Sequence, residues 1–276
     1  MPPVQARSTD TSNWALVTGA SSGIGKEFCK QLAAGGYNLV LVARRADRLH
    51  TLANELRAAH GTACLILPSD LSEPDAARVI ARRLQKEDIS IEFLVNNAGY
   101  GVPGRFIEPD WKAHQDFIQV LISVVCELTW RLLPAMQEMN KGYVVNVASV
   151  AGLVPGSEGH TLYGASKSFL IRFSESLALE NTRLGVNVSA LCPGFTHSEF
   201  HDVTGTREMM NKMPDFMWLS AEEVVRYGIA AVQRKKPRTV AIPGFFYRAL
   251  VTLNRFVPGF GQWSVKRTSK RFRKLD

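Results

Sequence analysis

A tyrosine and a lysine lie four positions apart in the stretch HTLYGASKSF, residues 160–169. Residues at this spacing share one face of a helix, so the ammonium group of Lys167 can approach whatever lies against the ring of Tyr163. A cation placed there can tune the acidity of a phenol. The same spacing is also common in ordinary pairs on solvated helices, so the surrounding elements have to decide between the two interpretations.

A glycine-rich turn lies near the start of the chain, in WALVTGASSGIGKEF, residues 14–28. Gly19, Gly23 and Gly25 would let a diphosphate approach the backbone closely, and the helix that follows would supply free amides and a positive dipole end. Such a turn can also be no more than a tight connection. The strand-like run before it and the helical segment after it favour dinucleotide binding.

The residues after the second strand-like run bear on the choice of dinucleotide. In LVARRADRL, residues 41–49, no carboxylate occurs before Asp47, where an acidic residue at the end of the strand would bind an adenosine ribose. Arg44 and Arg45 instead offer guanidinium groups suited to a 2′-phosphate. This pattern favours NADP(H) over NAD(H). The alternative is that the two arginines merely begin a solvated helix.

Short apolar runs alternate with longer amphipathic segments along the chain. The runs are WALVT, NLVLVA, TACLILP, IEFLVNNAG, GYVVNVAS and GVNVSALCPG. This alternation predicts βαβ units and a parallel sheet covered by helices on both faces, which is the α/β class. We expect a disordered lead-in over residues 1–12, one domain over residues 13–243, and a helix with a basic tail over residues 244–276.

Composition excludes several classes of protein. The chain has 276 residues, of which 46% are hydrophobic and 21% charged, as in a soluble globular domain. The four cysteines are far apart, which argues against a disulfide framework or a zinc site and favours a reducing compartment. No secretory signal and no run of 18 apolar residues is visible, so we expect a cytoplasmic protein without a spanning helix.

The formal charge of +8 is concentrated at the C-terminus. Six cations between Lys266 and Lys274, less the carboxylate of Asp276, account for +5 of it. No basic surface interleaved with aromatic residues appears elsewhere. Nucleic acid is therefore not an expected partner.

Four motifs in order resemble those of the short-chain dehydrogenase/reductase family. They are TGASSGIG at residues 18–25, NNAG at 96–99, a serine before YxxxK, and PGFT at 193–196. The resemblance covers about residues 13–243. It implies a single Rossmann-type domain with a doubly wound, seven-stranded parallel sheet flanked by helices, an NAD(P) cofactor, and a homodimer or homotetramer.

The resemblance also implies roles for individual residues. Tyr163 would be the general acid/base, Lys167 would lower its pKa and bind the nicotinamide ribose, and Ser149 would polarise the substrate carbonyl. The residues expected to hold the cofactor are Gly19, Ser21, Ser22, Gly23, Ile24, Gly25, Arg44, Arg45, Asp70, Leu71, Asn97, Ala98, Gly99, Tyr163, Lys167, Pro193 and Thr196. Asn96 would brace the sheet. Asp70 has an alternative as a helix cap.

The chain departs from the family pattern at two places. When the chain is aligned on LTWRLLP, Leu121 occupies a position where most members of the family have an asparagine. In those proteins the asparagine holds a water that links the active-site lysine to solvent. An isobutyl group makes no hydrogen bond, and Ser123, two residues away, points elsewhere on a regular helix. The interval from Ser149 to Tyr163 is also one residue longer than is common in this family. The expected position of the Ser149 hydroxyl beside Tyr163 is therefore less certain than the other assignments.

Three interpretations of Leu121 stay open. Another water path supplies the protons, the enzyme is slow, or the chain binds dinucleotide without catalysis. The two main functional hypotheses are therefore an NADPH-dependent reductase and a dinucleotide-sensing protein of the same fold.

Two segments near the C-terminus bear on substrates and partners. Residues 197–218 are expected to cover the ligand-binding crevice at the carboxyl ends of the strands. Their apolar side chains suit an apolar carbonyl or alcohol, such as a fatty acyl-like or sterol-like compound. These side chains are Phe200, Met209, Met210, Met213, Phe216, Met217 and Trp218. The alternative is that they pack the lid or a subunit contact. Residues 244–257 predict an amphipathic helix that caps the core or an interface, or that binds a membrane reversibly together with the basic tail.

Overall fold

A seven-stranded parallel sheet forms the centre of the protein. The structure is a computed structural model that describes residues 13–102, 104–159, 161–199, 213–257 and 259. The strands are β1 (Trp14–Thr18), β2 (Asn38–Ala43), β3 (Cys64–Pro68), β4 (Ile91–Asn96), β5 (Gly142–Val147), β6 (Val186–Leu191) and β7 (Val240–Ala241). Their order is β3-β2-β1-β4-β5-β6-β7, and all neighbours are parallel. The predicted α/β class with its Rossmann-type sheet is confirmed.

Helices alternate with the strands, as the sequence pattern predicts. In the described residues they are α1 (Gly23–Ala34), α2 (Ala46–His60), α3 (Ala76–Lys86), α4 (Trp111–Ile118), α5 (Val124–Glu138), α6 (Thr161–Asn181), α7 (Ala221–Val232) and α8 (Phe245–Phe256). A π-helical turn, Gln119–Ser123, joins α4 to α5. The helices cover both faces of the sheet, and this is why its strands are continuous apolar runs rather than alternating ones.

The core lies in two layers, one on each face of the sheet. One layer packs α1, α2 and α7 against the strands around Phe28, Leu52 and Val225. The other packs α3, α4 and α5 around Phe117 and Leu128. Burial on both sides fixes the sheet rigidly, so the loops at the carboxyl ends of its strands start from well-defined positions.

The direction of winding reverses between β1 and β4. Strands β2 and β3 extend the sheet on one side of β1, whereas β4 to β7 extend it on the other. In open α/β sheets a ligand binds beyond the carboxyl ends of the strands at such a switch point. Here that position lies between the glycine-rich turn after β1 and the NNAG turn after β4.

Trp111–Glu138 forms one long apolar helix, comprising α4, the π-helical turn and α5. By its length and composition this helix could cross a membrane, but half of its most apolar 18-residue stretch is buried within the fold. It contacts α3, β4 and β5 as a core helix of the sheet does. The length of this helix is therefore accounted for by packing inside the domain.

The C-terminal helix α8 forms where it was predicted, but its apolar face does not cap the core. Phe245 is 79% exposed and Phe256 is 74% exposed, while Tyr247 is the buried residue of this helix. Periodicity identifies the apolar stripe but not the side on which the helix docks, because one aromatic side chain on another face can fix it. The expectation of a cap over the core is therefore wrong for this face.

Some predicted features lie outside the described residues. These are the lead-in over residues 1–12, the side chains of Phe200, Met209 and Met210, and the basic cluster from Lys266 to Lys274.

Candidate active site

The turn between β1 and α1 has the backbone geometry that its glycines allow. Gly19 and Gly23 adopt positive φ angles of 67° and 53°, which side chains rarely tolerate. A Cβ atom on Gly25 would overlap the carbonyl oxygen of Gly19. Ser22 precedes α1 without capping it, and the first turn carries no acidic residue, so its amides remain suited to an anion. This cradle fits a dinucleotide diphosphate.

A hydrogen-bonded lock holds the two turns of the switch point together. The Thr18 hydroxyl accepts hydrogen bonds from the backbone amides of Asn97 and Ala98, at 2.9 and 3.1 Å. The Asn97 side chain donates to the Thr18 carbonyl oxygen at 2.9 Å. Next to it, Asn96 donates to Asn146 on β5 at 2.8 Å, so the predicted bracing of the sheet by Asn96 is confirmed.

Arg45 reaches back from the end of β2 to the glycine-rich turn. Its Nη2 atom lies 3.2 Å from the hydroxyl oxygens of both Ser21 and Ser22. The same nitrogen lies 3.1 Å from the Glu199 carboxylate, which also pairs with Arg48 at 2.6 Å. A 2′-phosphate would need these guanidinium groups, so Glu199 stands where an anionic ligand would compete with it.

Asp70 forms a local turn after β3 instead of capping a helix. Its Oδ1 atom accepts from the Ser72 amide at 3.0 Å and from the Ser72 hydroxyl at 2.8 Å. Helix α3 begins later, with Asp75 before it, so the alternative of Asp70 as a helix cap is wrong. Leu71 beside it is buried in the core layer of α3.

Ser149 and Tyr163 meet despite the long interval between them. The hydrogen bond that Ser149 makes to the Tyr163 hydroxyl lowers the pKa of that phenol. Ser149 follows β5 and caps a 3₁₀ turn, where its oxygen accepts from the Ala151 amide at 3.1 Å. The longer interval therefore does not keep the two hydroxyl groups apart.

Lys167 lies buried behind Tyr163. Its Nζ atom donates to the Val147 carbonyl oxygen at 2.8 Å and lies 5.5 Å from the centre of the Tyr163 ring. Burial lowers the pKa of Lys167 to about 8, and the adjacent Cys192 opposes this shift. Cys192 stays a neutral thiol, because burial raises its pKa to about 12.

An open cleft lies beside Tyr163. It lies between the loop after β4 and the start of α6. Its lining consists of Val102, Gly104, Arg105, Phe106, His114, Phe117, Gly159, Thr161, Leu162 and Tyr163. The lining combines the apolar side chains of Val102, Phe106, Phe117 and Leu162 with the polar ones of Arg105, His114, Thr161 and Tyr163.

A profile of the short chain dehydrogenase family matches residues 13–208. The chain belongs to the short-chain dehydrogenase family. It is therefore an oxidoreductase of a family that binds a nicotinamide dinucleotide, and the glycine-rich turn, Ser149, Tyr163 and Lys167 are the parts of this dehydrogenase that match that chemistry.

Named relatives place the dehydrogenase among several kinds of enzyme. It is 40% identical over 191 residues to a short chain dehydrogenase of Pseudocercospora fijiensis, an alignment that covers 67% of this chain but only 60% of the fungal protein. It is 32% identical over 239 residues to the very-long-chain 3-oxoacyl-CoA reductase of Anas platyrhynchos, covering 84% of this chain and 73% of the reductase.

A solved structure agrees with the fold over nearly the whole domain. The short-chain dehydrogenase from Sphingobium yanoikuyae, in complex with NADPH, superposes with a TM-score of 0.77 at 32% identity. The match covers 88% of this chain and 93% of that one.

In this geometry the pKa of Tyr163 moves opposite to the expectation. Burial raises it to about 12, outweighing the hydrogen bond from Ser149. The Lys167 ammonium donates to the Val147 carbonyl oxygen and lies 5.5 Å from the ring centre, and the lowering of the pKa of Tyr163 by Lys167 stays a prediction. The Tyr163 phenol therefore carries its proton at neutral pH.

Leu121 lies at the π-helical turn, next to the buried lysine. A Cβ atom built on Gly99 would lie 3.6 Å from the Leu121 Cγ atom and 3.8 Å from the Lys167 Nζ atom. The isobutyl group thus occupies the surroundings of the ammonium and contributes to its desolvation. Ser123 is exposed, as its helical position predicted.

The segment after β6 is anchored by Tyr247 of α8. The Tyr247 hydroxyl donates to the Met217 carbonyl oxygen and accepts from the Phe195 amide at 3.0 Å. Its ring lies against Gly194, where a side chain would overlap it. Beyond Pro193, the Thr196 hydroxyl donates to the Gly194 carbonyl oxygen at 3.0 Å.

Several residues of the site were not predicted from the sequence. Ser198 lies against Gly23, and Glu199 pairs with Arg48 next to Arg45. Phe106 and His114 line the cleft. Tyr247 holds the segment after β6. The described residues 213–218 of the predicted lid do not line this cleft; Trp218 stacks on His197 instead.

Proposed function

We propose that the protein is an NADPH-dependent reductase of apolar ketones, with Tyr163 as the proton donor. The observation that carries this proposal is the convergence of the Ser149 hydroxyl and the Lys167 ammonium on Tyr163, which itself lines a cleft. When bound, the nicotinamide of the cofactor supplies the hydride. The remaining work, which is to orient and polarise the carbonyl and to supply a proton, belongs to these side chains.

Tyr163 suits the reductive direction. Burial raises its pKa to about 12, so the phenol carries its proton throughout the physiological range. Protonation of the substrate oxygen leaves a phenolate, which the Lys167 ammonium and the Ser149 hydroxyl would stabilise. Alcohol oxidation would need that phenolate beforehand and is less favoured by this arrangement.

The preference for NADPH rests on Arg44 and Arg45 and on the lack of a carboxylate at the end of β2. The NADPH-bound structure that shares this fold supports the preference. We expect Arg45→Ala and Arg44→Ala each to raise the Kd for NADPH by about 10-fold, as loss of a phosphate contact does, with little effect on NADH. An unchanged NADPH affinity in both variants would refute the assignment.

An apolar substrate is supported by the lining of the cleft. Val102, Phe106, Phe117 and Leu162 provide an aliphatic and aromatic surface. The similarity to a very-long-chain 3-oxoacyl-CoA reductase points in the same direction. A screen of carbonyl compounds that showed a preference for short polar sugars over hydrophobic ketones would refute this substrate class.

Turnover separates the reductase from a dinucleotide-sensing protein. Purified protein with NADPH and a panel of hydrophobic ketones should oxidise the cofactor, and Tyr163→Phe should lower kcat by about 10³-fold or more while NADPH still binds. Residual turnover near the wild-type rate in Tyr163→Phe would remove the proton-transfer role. Tight NADPH binding with no turnover of any ketone would favour the sensing protein.

Location and assembly complete the proposal. The four cysteines are free thiols, which supports a reducing, cytoplasmic location.

A homodimer or homotetramer is supported by exposed apolar residues on α5 and α6, where Trp130 is 54% and Leu179 is 82% exposed. Reversible membrane contact is supported by the exposed phenylalanines of α8 and by the six cations that follow in the sequence.

A further inference from the structure

The hydroxyl group of Tyr247 joins two separate parts of the chain. Tyr247 is 4% exposed and lies in the first turn of α8. Its hydroxyl accepts from the Phe195 amide at 3.0 Å and donates to the Met217 carbonyl oxygen. Phe195 lies shortly after β6 and Met217 shortly before α7. One side chain of α8 therefore holds both the departing arm of this connection, residues 195–199, and its returning arm, residues 217–219.

Backbone pairing holds the same two arms together beside Tyr247. The Leu219 amide donates to the Phe195 carbonyl oxygen at 2.9 Å, and the His197 amide donates to the Leu219 carbonyl oxygen at 3.0 Å. The ring of Tyr247 lies over Gly194, where a Cβ atom would overlap it. The Tyr247 hydroxyl thus completes a clamp at the start of the departing arm.

The departing arm crosses the carboxyl ends of the strands. It starts after β6, yet Ser198 lies against Gly23 in the turn after β1. Glu199 reaches Arg45, after β2, at 3.1 Å. In the order of the sheet, β5 and β4 lie between these points. The arm therefore spans the edge of the sheet at which a ligand of an open α/β fold binds.

The nicotinamide half of a bound dinucleotide would lie beside this arm. With its diphosphate at the glycine-rich turn and its 2′-phosphate at Arg45, the nicotinamide would extend from β1 toward β5. Tyr163 is on that side, because Lys167 behind it donates to the Val147 carbonyl oxygen at the end of β5, at 2.8 Å. The arm therefore borders the path of a hydride from the nicotinamide to a ketone at Tyr163.

The start of the arm is also tied to Ser149. The Pro193 carbonyl oxygen accepts from the Val150 amide at 3.0 Å and lies 3.5 Å from the Ser149 hydroxyl oxygen. Gly194 follows Pro193 directly and packs against the ring of Tyr247. A shift of Tyr247 would therefore be felt both along the arm and at the serine.

We propose that Tyr247 is a positioning residue for hydride transfer, which fixes the departing arm so that the arm holds the nicotinamide of NADPH against a ketone at Tyr163. This inference rests on the proposed reductase activity. It adds to that activity a residue beyond residues 13–208, which match the family profile. Tyr247 acts through the arm, and the chemistry stays with Tyr163.

Tyr247→Phe tests the proposal, because it removes the hydroxyl and keeps the ring over Gly194. With NADPH and a hydrophobic ketone we expect kcat to fall by about 10-fold or more, since a small displacement of the reacting groups lowers the rate steeply. The KM for the ketone and the Kd for 2′,5′-ADP, which has no nicotinamide, should change by less than about 2-fold. An unchanged kcat would overturn the proposal. An equal loss of affinity for 2′,5′-ADP would overturn it too, because it would indicate a general loosening of the fold.

Tyr37→Phe is the matched control. Tyr37 is 8% exposed, its hydroxyl donates to the Glu92 carboxylate at 2.8 Å, and it precedes β2 at the amino ends of the strands. This variant also loses a buried hydroxyl, and urea unfolding measures the lost stability in both variants. The kcat of Tyr37→Phe should stay at the wild-type value. A kcat that falls in proportion to lost stability in both variants would give Tyr247 a role in the fold alone and overturn the proposal.

Binding keeps this test separate from the proposed activity. If no ketone is turned over, the reductase proposal fails, but the affinities for NADP⁺ and 2′,5′-ADP still test the position of the nicotinamide. In Tyr247→Phe the Kd for NADP⁺ should rise about 5-fold, as for the loss of one hydrogen bond, while the Kd for 2′,5′-ADP stays the same. Equal changes for the two nucleotides, or no change for either, would overturn the inference.

Hydrogen exchange of the wild type decides the matter if Tyr247→Phe does not fold. The Phe195 amide should exchange at least about 100-fold more slowly than in an unfolded peptide, because the Tyr247 hydroxyl accepts from it. Saturation with NADP⁺ should slow this exchange further, and saturation with 2′,5′-ADP should not. An unprotected Phe195 amide, or the same effect from both nucleotides, would overturn the proposal.

Discussion

The Glu199 carboxylate lies 3.1 Å from the Arg45 Nη2 atom, and Arg48 binds the same carboxylate at 2.6 Å. Glu199 thus closes a bridge from the segment after β6 to the start of α2, over the serines of the glycine-rich turn. A 2′-phosphate has the same charge sign as this carboxylate and would need the same guanidinium groups. In the proposed complex with NADPH, the 2′-phosphate would therefore displace Glu199 or share its partners.

Replacement of Glu199 should strengthen NADPH binding. In Glu199→Gln we expect the Kd for NADPH to fall about 2- to 5-fold, because an exposed ion pair is worth about 0.2–1 kcal/mol. The Kd for NADH should change less, and the gain should shrink at high salt. Fluorescence titration of both nucleotides measures this.

Glu87→Gln is the matched control, because Glu87 pairs with Arg83 at 2.8 Å on α3, away from the glycine-rich turn. It should leave both affinities unchanged. If Glu199→Gln weakened NADPH binding, Glu199 would be a support for the arginines and not a competitor of the phosphate.

Most of the fold could be predicted from the sequence, because buried parallel strands read as continuous apolar runs. Six strands and the βα alternation follow from such runs, and the Tyr163–Lys167 pair follows from helical spacing. Strand β7, with only Val240 and Ala241, is too short for any periodicity and was expected only from the family resemblance.

The parts that the sequence did not predict depend on contacts between distant segments. Glu199 meets Arg45 across 154 positions, and Tyr247 meets Phe195 across 52. Helical periodicity placed the apolar stripe of α8 but not the single aromatic residue that docks it. For Tyr163, residue types predicted a cation nearby, whereas the direction of the pKa shift depends on burial.

Leu121 should control the pH at which reduction fails. Burial lowers the pKa of Lys167 to about 8, so above this pH the ammonium that supports the Tyr163 phenolate is lost. We expect kcat/KM for ketone reduction to fall above about pH 8. In Leu121→Asn an amide oxygen can accept from the ammonium, which stabilises its charged form, so the fall should move up by about one pH unit.

Ser123→Asn is the control for this pH profile, because Ser123 lies on the same π-helical turn but is exposed. Its profile should match that of the wild type. An identical shift in both variants would mean that Leu121 has no special relation to Lys167, and no shift in either would leave another proton route in place.

Lys167 should also cost stability, in a defined pH window. Its pKa is about 8 in the folded chain against 10.5 for a lysine side chain in water. Below about pH 8 both states are charged and the folded state bears the burial cost. Between about pH 8 and 10.5 the unfolded state binds more protons, so the free energy of unfolding rises with pH.

Lys167→Met removes this titration while keeping most of the side-chain volume. At about pH 7 the variant should be more stable than the wild type, by up to about 3 kcal/mol, since one pKa unit corresponds to about 1.4 kcal/mol. The difference should shrink toward about pH 10. Urea unfolding at both pH values measures it, and a gap that is independent of pH would contradict a lowered pKa for Lys167.

The exposed face of α8 should bind anionic membranes. Phe245 and Phe256 are 79% and 74% exposed, and burial of each in lipid is worth about 1.5–3 kcal/mol. We expect the full chain to cosediment with vesicles that contain phosphatidylserine. The double variant Phe245→Asp, Phe256→Asp should lose most of this binding, and a chain without residues 262–276 should lose the dependence on anionic lipid.

Val79→Asp serves as the control for this membrane binding, because Val79 is an apolar residue of α3 that is 50% exposed. If membrane binding uses α8 specifically, Val79→Asp should sediment with vesicles as the wild type does, whereas non-specific adsorption through exposed apolar residues would lower binding in both variants. A full chain that stays in the supernatant with anionic vesicles would leave the α8 face to a protein contact, such as a second copy of this chain. Gel filtration of the Phe245→Asp, Phe256→Asp variant would then show the loss of that contact as a smaller assembly.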